Sequence, residues 1–489
     1  ILQNQMRRRL FQPPRKVLRQ YLSSSATPNR LLTFLTDVEG DASYLHRYVT
    51  NSRVLKFHDE NTIEFTSPHA MLLYGGDIWD KGGSDLRVIR QLLDLKRRYP
   101  NRVHFVMGNR DINKMRMTQE LNSACHGGVW WKNLETAYKF PTDPSWSITQ
   151  RLKYILGHTM GCPNAFELRR KELQPLARNN VVSDEDVLQS YLDSCNAETG
   201  EISQYLRQSS ICIQIGKLFV VHGALPWMVN TDPYELALPW RGKINNQMEP
   251  AEWMKVLNNF AKQQLEQWRL SQHEPTDGVW ATRGGFHYWP TGSEHSFAGL
   301  LQYGMGWLPN HERVPTVIYS SWTKSGMPHS FFSSSSREAE FTRKFMRDAN
   351  IQLILSGHQP QGDFPTPIRL GSNKLIMACD TSYSGDTKWK NDVVCPPGGG
   401  RGKLTVCEVL VEQCTDTGDI VSVTSHGVLS NGRPFETTNM LNSDDPAGHL
   451  LRDGSDTTRP WWIKAEFVDG SRLISTAEGY DVVNSISSR

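Results

Sequence analysis

The amino-acid sequence predicts an α/β protein with a layered sheet, in which polar motifs follow buried strands. Short apolar runs alternate with helical patterns from Leu31 to about Met107, and this alternation is typical of α/β sheets. Five apolar runs each end in a short polar motif, and these runs are 31–35, 71–74, 103–107, 218–221 and 351–355. Because α/β folds place their sites at the ends of buried strands, we expect the five motifs to converge.

Helical patterns lie between these strands and in two long insertions. A short helix is predicted over 43–50 and an amphipathic helix over 84–99. Patterns rich in Lys, Glu and Leu then fill about 112–210, and a second insertion of about 227–347 contains a predicted helix over 251–271. Because both insertions leave from polar motifs, they should wall the same pocket and set its specificity.

Three regions are predicted along the chain. A basic leader covers 1–30, a layered domain with both insertions covers 31–410, and a β-rich C-terminal extension covers 411–489. In the extension, apolar patterns predict strands such as 420–428, and the Asp-Gly pair at 469–470 predicts a hairpin turn.

The net charge of +3 is unevenly distributed along the chain. The first 36 residues contain seven Arg or Lys and no acid, so the rest of the chain carries about −4, which is +3 minus 7. The leader resembles an organellar transit peptide, mitochondrial more than plastid, and the alternative is a disordered basic tail on a cytoplasmic protein. The acidic body argues against a nucleic acid as partner, and no apolar stretch reaches the roughly 20 residues that span a membrane.

The eight cysteines are far apart and form no C-x-x-C pair. This spacing excludes a zinc knuckle and gives no sign of a disulfide framework, so reduced thiols are expected. Cys407 and Cys414 could flank a hairpin, and they could bridge in an oxidising compartment.

The polar motifs share acids, an amide and imidazoles, which could bind two metal ions. They are Asp37-Val38-Glu39-Gly40, Gly76-Asp77-Ile78-Trp79-Asp80, Gly108-Asn109-Arg110-Asp111, Val221-His222-Gly223 and Ser356-Gly357-His358-Gln359-Pro360. Taken singly, the aspartates could be helix N-caps and the histidines could be hydrogen-bonded loop residues. Taken together and in this order, they favour a metal site, and only for Asp111 do the two interpretations balance.

This order of motifs resembles the calcineurin-like metallophosphoesterase superfamily, and especially its phosphoprotein-phosphatase branch. The pattern there is D-x-H, G-D-x-x-D-R-G, G-N-H-D/E, H-G and G-H-x-H, and the match extends over about 31–405 between the insertions. The resemblance implies a four-layer α/β/β/α sandwich with large helical insertions. It also implies a phosphoesterase that hydrolyses a phosphate ester or anhydride by attack of a metal-bound hydroxide.

The resemblance also assigns the metal ligands, residue by residue. It implies that Asp37 and Glu39 bind a first divalent ion and that Asp77 bridges both ions. The second ion would be bound by Asn109, His222 and His358. Glu39 stands where the superfamily has His, and the added carboxylate favours Mn or Mg, with Fe as a further candidate.

Three other positions depart from the superfamily's pattern. Arg110 replaces the histidine that protonates the leaving oxygen, and arginine stays protonated, so general acid catalysis worth roughly 10²–10⁴-fold is lost. We expect Arg110 to pair with Asp80 instead. Lys81 replaces a phosphate-binding arginine and keeps the charge without the bidentate geometry. Pro360 replaces the last His of G-H-x-H, as in the phosphoprotein-phosphatase branch.

The loss of a proton donor bears on the substrate. Leaving groups that depart without protonation would tolerate Arg110, so a phosphorylated small molecule or a nucleotide is favoured over a phosphoprotein. Arg283, in a Gly-rich aromatic segment, is a candidate second phosphate-binding residue, and a surface or stacking arginine is the alternative. The rival to the enzyme is a pseudophosphatase, a metal-binding scaffold whose insertions bind a partner.

Overall fold

The computed structural model describes ten stretches of the chain. They are 29–121, 146–177, 180–226, 248–271, 297–306, 316–329, 336–381, 405–451, 460–478 and 481–487. Nearly all of the predicted leader lies outside the described residues, and so does Arg283.

The larger sheet has seven strands and presents the first three motifs at one edge. Its strands, in spatial order, are Pro434–Glu436, Ile420–Val428, Val406–Gln413, Arg30–Leu35, Ala70–Tyr74, Val103–Val106 and Ser209–Ser210. The strand Ala70–Tyr74 is parallel to both Arg30–Leu35 and Val103–Val106. The carboxyl ends of these three strands, which precede the motifs, therefore lie side by side.

The second sheet has five strands and presents the two histidine motifs. Its strands, in spatial order, are Thr366–Gly371, Lys374–Ala378, Leu353–Ser356, Leu218–Val221 and Cys212–Ile215. Leu353–Ser356 is parallel to Leu218–Val221. His222 and His358 therefore follow neighbouring strand ends.

The two sheets pack face to face. Successive side chains of their strands point to opposite faces and are apolar, so each sheet can bury both of its faces. The inner faces share one core, formed by Leu32, Phe34, Leu73, Val106, Leu218, Val220, Leu353 and Leu355. The outer faces are covered by helices: the Tyr48 hydroxyl donates to Phe34 O at 3.0 Å on one side, and Phe345 packs on Phe219 at 5.5 Å on the other. The order of layers is therefore α/β/β/α, which confirms the predicted sandwich.

Helices occupy the outer layers and the described parts of both insertions. The α-helices are Ala42–Asn51, Asp85–Arg98, Asn109–Asn113, Met117–Glu120, Ile148–Tyr154, Ala165–Leu173, Asp184–Ser194, Glu201–Arg207, Pro250–Ser271, Ala298–Gly304 and Arg337–Asp348. Single turns of 3₁₀-helix cover Lys114–Arg116 and Gln174–Leu176, and a π-helix covers Ile155–Thr159. The helices predicted over 43–50, 84–99 and 251–271 are thus confirmed within two residues at each end.

Side-chain caps explain where several of these helices begin. Asp41 accepts a hydrogen bond from the Tyr44 N–H at 2.8 Å, and Ser183 and Ser336 cap their helices in the same way. Each cap satisfies one of the N–H groups that the first turn leaves without a partner.

The C-terminal strands divide between two sheets. Val406–Gln413 pairs antiparallel with Arg30–Leu35 in the larger sheet, so the predicted division at residue 410 falls inside a strand. Trp462–Glu466, Arg472–Glu478 and Asp481–Ser487 form a separate three-stranded sheet. Two short hairpins complete the strands, Leu55–Phe57 with Ile63–Phe65 and Thr323–Lys324 with Met327–Pro328.

The fold also bears on the membrane-spanning helix and the disulfide considered from the sequence. No helix in the described stretches is both long and apolar enough to cross a membrane. Cys407 and Cys414 are both free thiols.

Candidate metal centre

The motif loops turn sharply as they leave their strands. Five of the seven described non-glycine residues with positive φ belong to the motifs: Asp37 at 51°, Glu39 at 49°, Asp77 at 53°, Asp80 at 118° and His358 at 76°. Such conformations each cost roughly 1–3 kcal/mol and are concentrated at functional sites. Their concentration here indicates that the surrounding structure holds these side chains in one region.

Two glycines let the loops approach one another closely. A Cβ on Gly108 would lie 2.1 Å from Asp77 Oδ1, and a Cβ on Gly76 would lie 2.9 Å from His222 Nδ1. Gly76 also has a φ of +97°, which other residues rarely adopt. The glycines of the second and third motifs are therefore needed for packing around Asp77.

Asp111 fixes the backbone of the two central loops. Its carboxylate accepts hydrogen bonds of 2.9 Å from the N–H groups of Asp77, Ile78 and Gly108. Burial, and after it the charge of Asp77, raises the pKa of Asp111 to about 7. These contacts favour a structural role for Asp111, since its oxygens are engaged by the loops themselves. It is not the N-cap that the sequence suggested: Gly108 is the N-cap of the helix Asn109–Asn113, and Asp111 is the third helical residue, which accepts the Gly108 N–H.

On one side of Asp77 lie an amide and two imidazoles, which we call the histidine side: Asn109, His222 and His358. Asn109 Oδ1 lies 3.0 Å from His222 Nε2 and 2.9 Å from His358 Nδ1. Among the described residues, Asp77, His222 and His358 form the only group of three or more His, Cys, Asp or Glu whose ligand atoms all lie within 4.8 Å of one another.

The histidine side fits a transition metal ion. His222 Nδ1 lies 2.7 Å from the carbonyl of Gly75, so an Nδ1–H donated there leaves Nε2 facing Asp77 and Asn109. A backbone carbonyl that fixes the tautomer in this way is the usual support for a metal-binding imidazole. Asp77, Asn109, His222 and His358 would hold the ion.

The charges on the histidine side balance around Asp77. Burial acts to raise the pKa of Asp77, but the charge and hydrogen bond of His222, 3.4 Å away, together with the charge of Arg110, outweigh burial and hold the pKa below its usual range. Burial and the neighbouring His222 lower the pKa of His358 to about 3. His358 is therefore neutral near pH 7, which is the form that binds a metal ion.

On the other side of Asp77, acids are paired with basic side chains, and we call this the arginine side: Glu39, Asp80, Lys81, Arg110 and Lys114. Glu39 Oε1 lies 2.8 Å from Arg110 Nε and 3.3 Å from Lys81 Nζ. Asp80 Oδ2 lies 2.6 Å from Lys114 Nζ and 3.4 Å from Arg110 NH1. The pairing of Arg110 with Asp80 expected from the sequence is present, but the shortest contact of Arg110 with an acid is to Glu39.

The residues of the arginine side do not fit a first metal ion in this arrangement. Oε1 of Glu39 already lies 2.8 Å from Nε of the Arg110 guanidinium. A divalent cation placed there would meet like charge at contact distance. The role of Glu39 as a metal ligand, inferred from the resemblance, stays a prediction.

Asp37 lies between the two sheets, beside the fifth motif. Both of its oxygens accept a hydrogen bond from the His358 N–H, at 3.2 and 3.1 Å. Burial, and then the charge of Asp380, raises the pKa of Asp37 well above its usual range. Asp380, at the end of the described stretch 336–381, is therefore close enough to Asp37 for its charge to act there.

The structure adds contacts that the sequence did not suggest. Arg110 NH1 donates to Met160 O at 3.3 Å and to Cys162 Sγ at 3.2 Å, so the first insertion holds the guanidinium. Tyr319, from the second insertion, packs on the His358 ring at 5.1 Å. The presence of Lys114 beside Arg110 could have been predicted from the sequence, since Lys114 stands four residues later and residues four apart lie on the same face of a helix.

Comparisons with known proteins give matches to solved structures alone. No family model and no curated protein matches the chain. The chain is similar to solved structures of a cold-active protein-tyrosine phosphatase of a psychrophile, Shewanella sp. (TM-score 0.37, 15% identity, 85% of both chains covered), and of a protein serine/threonine phosphatase from Saccharomyces cerevisiae (TM-score 0.31, 12% identity, 79% of this chain and 74% of that one). It is also similar to a metallophosphoesterase from Sphaerobacter thermophilus (TM-score 0.27, 11% identity, 82% of this chain and 88% of that one).

These proteins are named as phosphatases or as a metallophosphoesterase. Structural similarity at TM-scores this low does not by itself assign a fold or a function to this chain. The fold described above stands on the order of its layers. The resemblance to the calcineurin-like metallophosphoesterases stands on the order of the motifs and on their meeting at one edge of the sandwich.

Proposed function

We propose that the protein is a metal-dependent phosphoesterase that hydrolyses a phosphate ester or anhydride. The observation that carries this proposal is the meeting of Asp77, His222 and His358 within 4.8 Å at the ends of strands from two sheets. Lys81 and Arg110 lie beside these ligands, as a site for a phosphate group requires.

The ion held by the histidine side would supply Lewis acidity and lower the pKa of a bound water. Arg110 would contribute a permanent positive charge. Burial acts to lower its pKa, but the surrounding negative charges, of which Glu39 is the largest contributor, together outweigh burial and hold the pKa well above its usual range. The guanidinium can therefore stabilise charge on the phosphoryl oxygens and gives no proton to a leaving group.

The lack of a proton from Arg110 supports a substrate with a good leaving group. Asp80, which would orient a proton-donating histidine in the related pattern, is bound instead to Lys114 at 2.6 Å. We therefore infer that the substrate is a nucleotide anhydride or an activated small-molecule phosphate more than a phosphoprotein. An alkoxide leaving group such as that of serine would suffer most from the missing proton.

The experiment is a phosphate-release assay on three substrates: a nucleotide anhydride, an aryl phosphate and a phosphoserine peptide. With added Mn²⁺ or Mg²⁺ we expect turnover of the first two, and at least about a hundredfold loss in Asp77→Asn. Asp94→Asn is the matched control, since Asp94 lies on an outer helix paired with Arg98 at 2.7 Å. Fastest turnover of the phosphoserine peptide would contradict the inferred substrate class.

A pseudophosphatase is the second candidate function. It is favoured by the salt bridge between Arg110 and Glu39, because two residues that would act on metal and substrate are bound to each other. Protein that binds metal but releases no phosphate from any of the three substrates would support this candidate and contradict the enzyme.

A mitochondrial location is a further proposal, supported by the seven basic residues and the absence of acids in the first 36 residues. The test is the location of a fluorescent fusion with and without residues 1–30. A fusion that stays in the cytoplasm with the leader intact would contradict the proposal.

A further inference from the structure

We infer that the centre binds a single divalent ion, on the histidine side, and that Arg110 with Lys81 takes the electrostatic place of a second ion. This inference rests on the proposed function and concerns how many ions the same centre holds. It replaces the pair of ions that the motif resemblance implies.

Asp77 faces both sides of the centre. Its Oδ1 lies 3.4 Å from His222 Nε2, on the histidine side. Its Oδ2 lies 3.7 Å from Arg110 Nε, on the arginine side. The carboxylate expected to bridge two metal ions therefore lies between a cluster of metal ligands and a guanidinium.

Glu39 is already paired with two basic side chains. Its Oε1 contacts both Arg110 Nε and Lys81 Nζ, at 2.8 and 3.3 Å. All three side chains are largely shielded from water, with exposed fractions of 8% for Glu39, 19% for Arg110 and 17% for Lys81. Two basic groups already balance this carboxylate, and a divalent ion bound to its Oε1 would meet both of them at contact distance.

Arg110 is held in place by several contacts. Besides Glu39, its guanidinium contacts Asp80 at 3.4 Å, and it donates to the Met160 carbonyl and the Cys162 sulfur. The backbone N–H of Arg110 donates to Asp77 Oδ1 at 2.9 Å. Arg110 is thus fixed at both ends, and moving it aside would leave a buried guanidinium without its partners.

The test compares metal binding in wild type and two variants, without reference to activity. Elemental analysis and Mn²⁺ titration should give about one tightly bound ion per chain in the wild type. Arg110→Gln removes the charge and should bind a second ion at least tenfold more tightly than the wild type does. Arg110→Lys is the matched control, because it retains the charge and should stay at about one ion.

Electron paramagnetic resonance of the Mn²⁺ forms gives an independent measurement. Wild type should show the spectrum of isolated Mn²⁺, and Arg110→Gln with excess Mn²⁺ should show a spin-coupled pair. Because the wild-type spectrum alone distinguishes one ion from two, the inference stays testable if Arg110→Gln does not fold.

The outcomes separate the inference from the proposed function. Two tightly bound ions in the wild type would overturn the inference and leave a metal-dependent phosphoesterase standing. No bound ion would overturn both. One ion in the wild type and still one in folded Arg110→Gln would overturn the assignment of the second ion's place to Arg110.

Discussion

The two sides of Asp77 neutralise buried acid in different ways. The histidine side places two imidazole nitrogens around Asn109 Oδ1, with His222 Nε2 and His358 Nδ1 both within 3.0 Å of it, and the charge of His222 helps to hold the pKa of Asp77 low. The arginine side uses basic side chains, with Arg110 and Lys114 each in contact with Asp80. We propose that the first arrangement binds an exchangeable cation, whereas the second carries its positive charge in the chain. A residue would then take the place of an ion.

Removing Asp111 should disrupt both sides at once and have the largest effect. Asp111→Ala leaves the buried N–H groups of Asp77, Ile78 and Gly108 without their acceptor. Since an unsatisfied buried donor costs about 1–3 kcal/mol, we expect the free energy of unfolding to fall by about 3 kcal/mol or more. Urea denaturation measures this change.

The control for that substitution is Asp94→Ala, whose partners are exposed side chains on the same helix. It should change the free energy of unfolding by less than about 1 kcal/mol. A similar small loss in Asp111→Ala would mean that the two central loops are held by other contacts.

Glu408 sharpens the comparison, because this buried acid is held mainly by hydrogen bonds. It accepts from Thr33 Oγ1 and from the Arg53 N–H, both at 2.7 Å, and burial raises its pKa from 4.5 to about 7. The folded state then binds the proton more tightly than the unfolded state, so this group's contribution to stability falls as pH rises from about 4.5 to 7.

Glu408→Gln should remove that pH dependence. Between pH 4.5 and 7.5, the wild type should lose about 3 kcal/mol more of its free energy of unfolding than the variant does. Denaturation at both pH values measures the difference, and Glu412→Gln on the same strand should keep the wild-type slope. Equal slopes for wild type and Glu408→Gln would show that the pKa of Glu408 is the same in the folded and unfolded protein.

Lys81 should give the smallest effect on the arginine side. It contacts Glu39 at 3.3 Å, farther than Arg110 does. Lys81→Gln should raise KM for a phosphate substrate by about three- to tenfold with little change in kcat, since one of two positive charges remains. Lys56→Gln, a half-exposed lysine outside the centre, is the control.

A large fall in kcat for Lys81→Gln, with KM unchanged, would assign Lys81 to the transition state and place it with Arg110. The comparison between the two sides would then rest on both cations equally.

The strands and the meeting of the motifs could be predicted from the sequence. Apolar runs such as 31–35 and 351–355 mark buried strands, and parallel strand ends lie at the same edge of a sheet. The local patterns also predicted the helices Asp85–Arg98 and Pro250–Ser271.

The pairing on the arginine side could not be predicted in the same way. Glu39 and Arg110 are far apart in the sequence, and their contact depends on side-chain conformations after two strongly bent loops. The resemblance placed Glu39 at a metal and Arg110 near Asp80, and nothing in the local pattern joins the two. The predicted boundary at residue 410 cuts the strand Val406–Gln413 for a similar reason. The pairing of this strand with Arg30–Leu35, which places it in the larger sheet, joins segments that are distant in sequence.

The most direct test of the account is anomalous diffraction from crystals of the wild-type protein grown with Mn²⁺. We expect one anomalous peak, bounded by Asp77, Asn109, His222 and His358, with Arg110 still in contact with Glu39. A second peak beside Glu39, with Arg110 turned away from that carboxylate, would contradict the central claim.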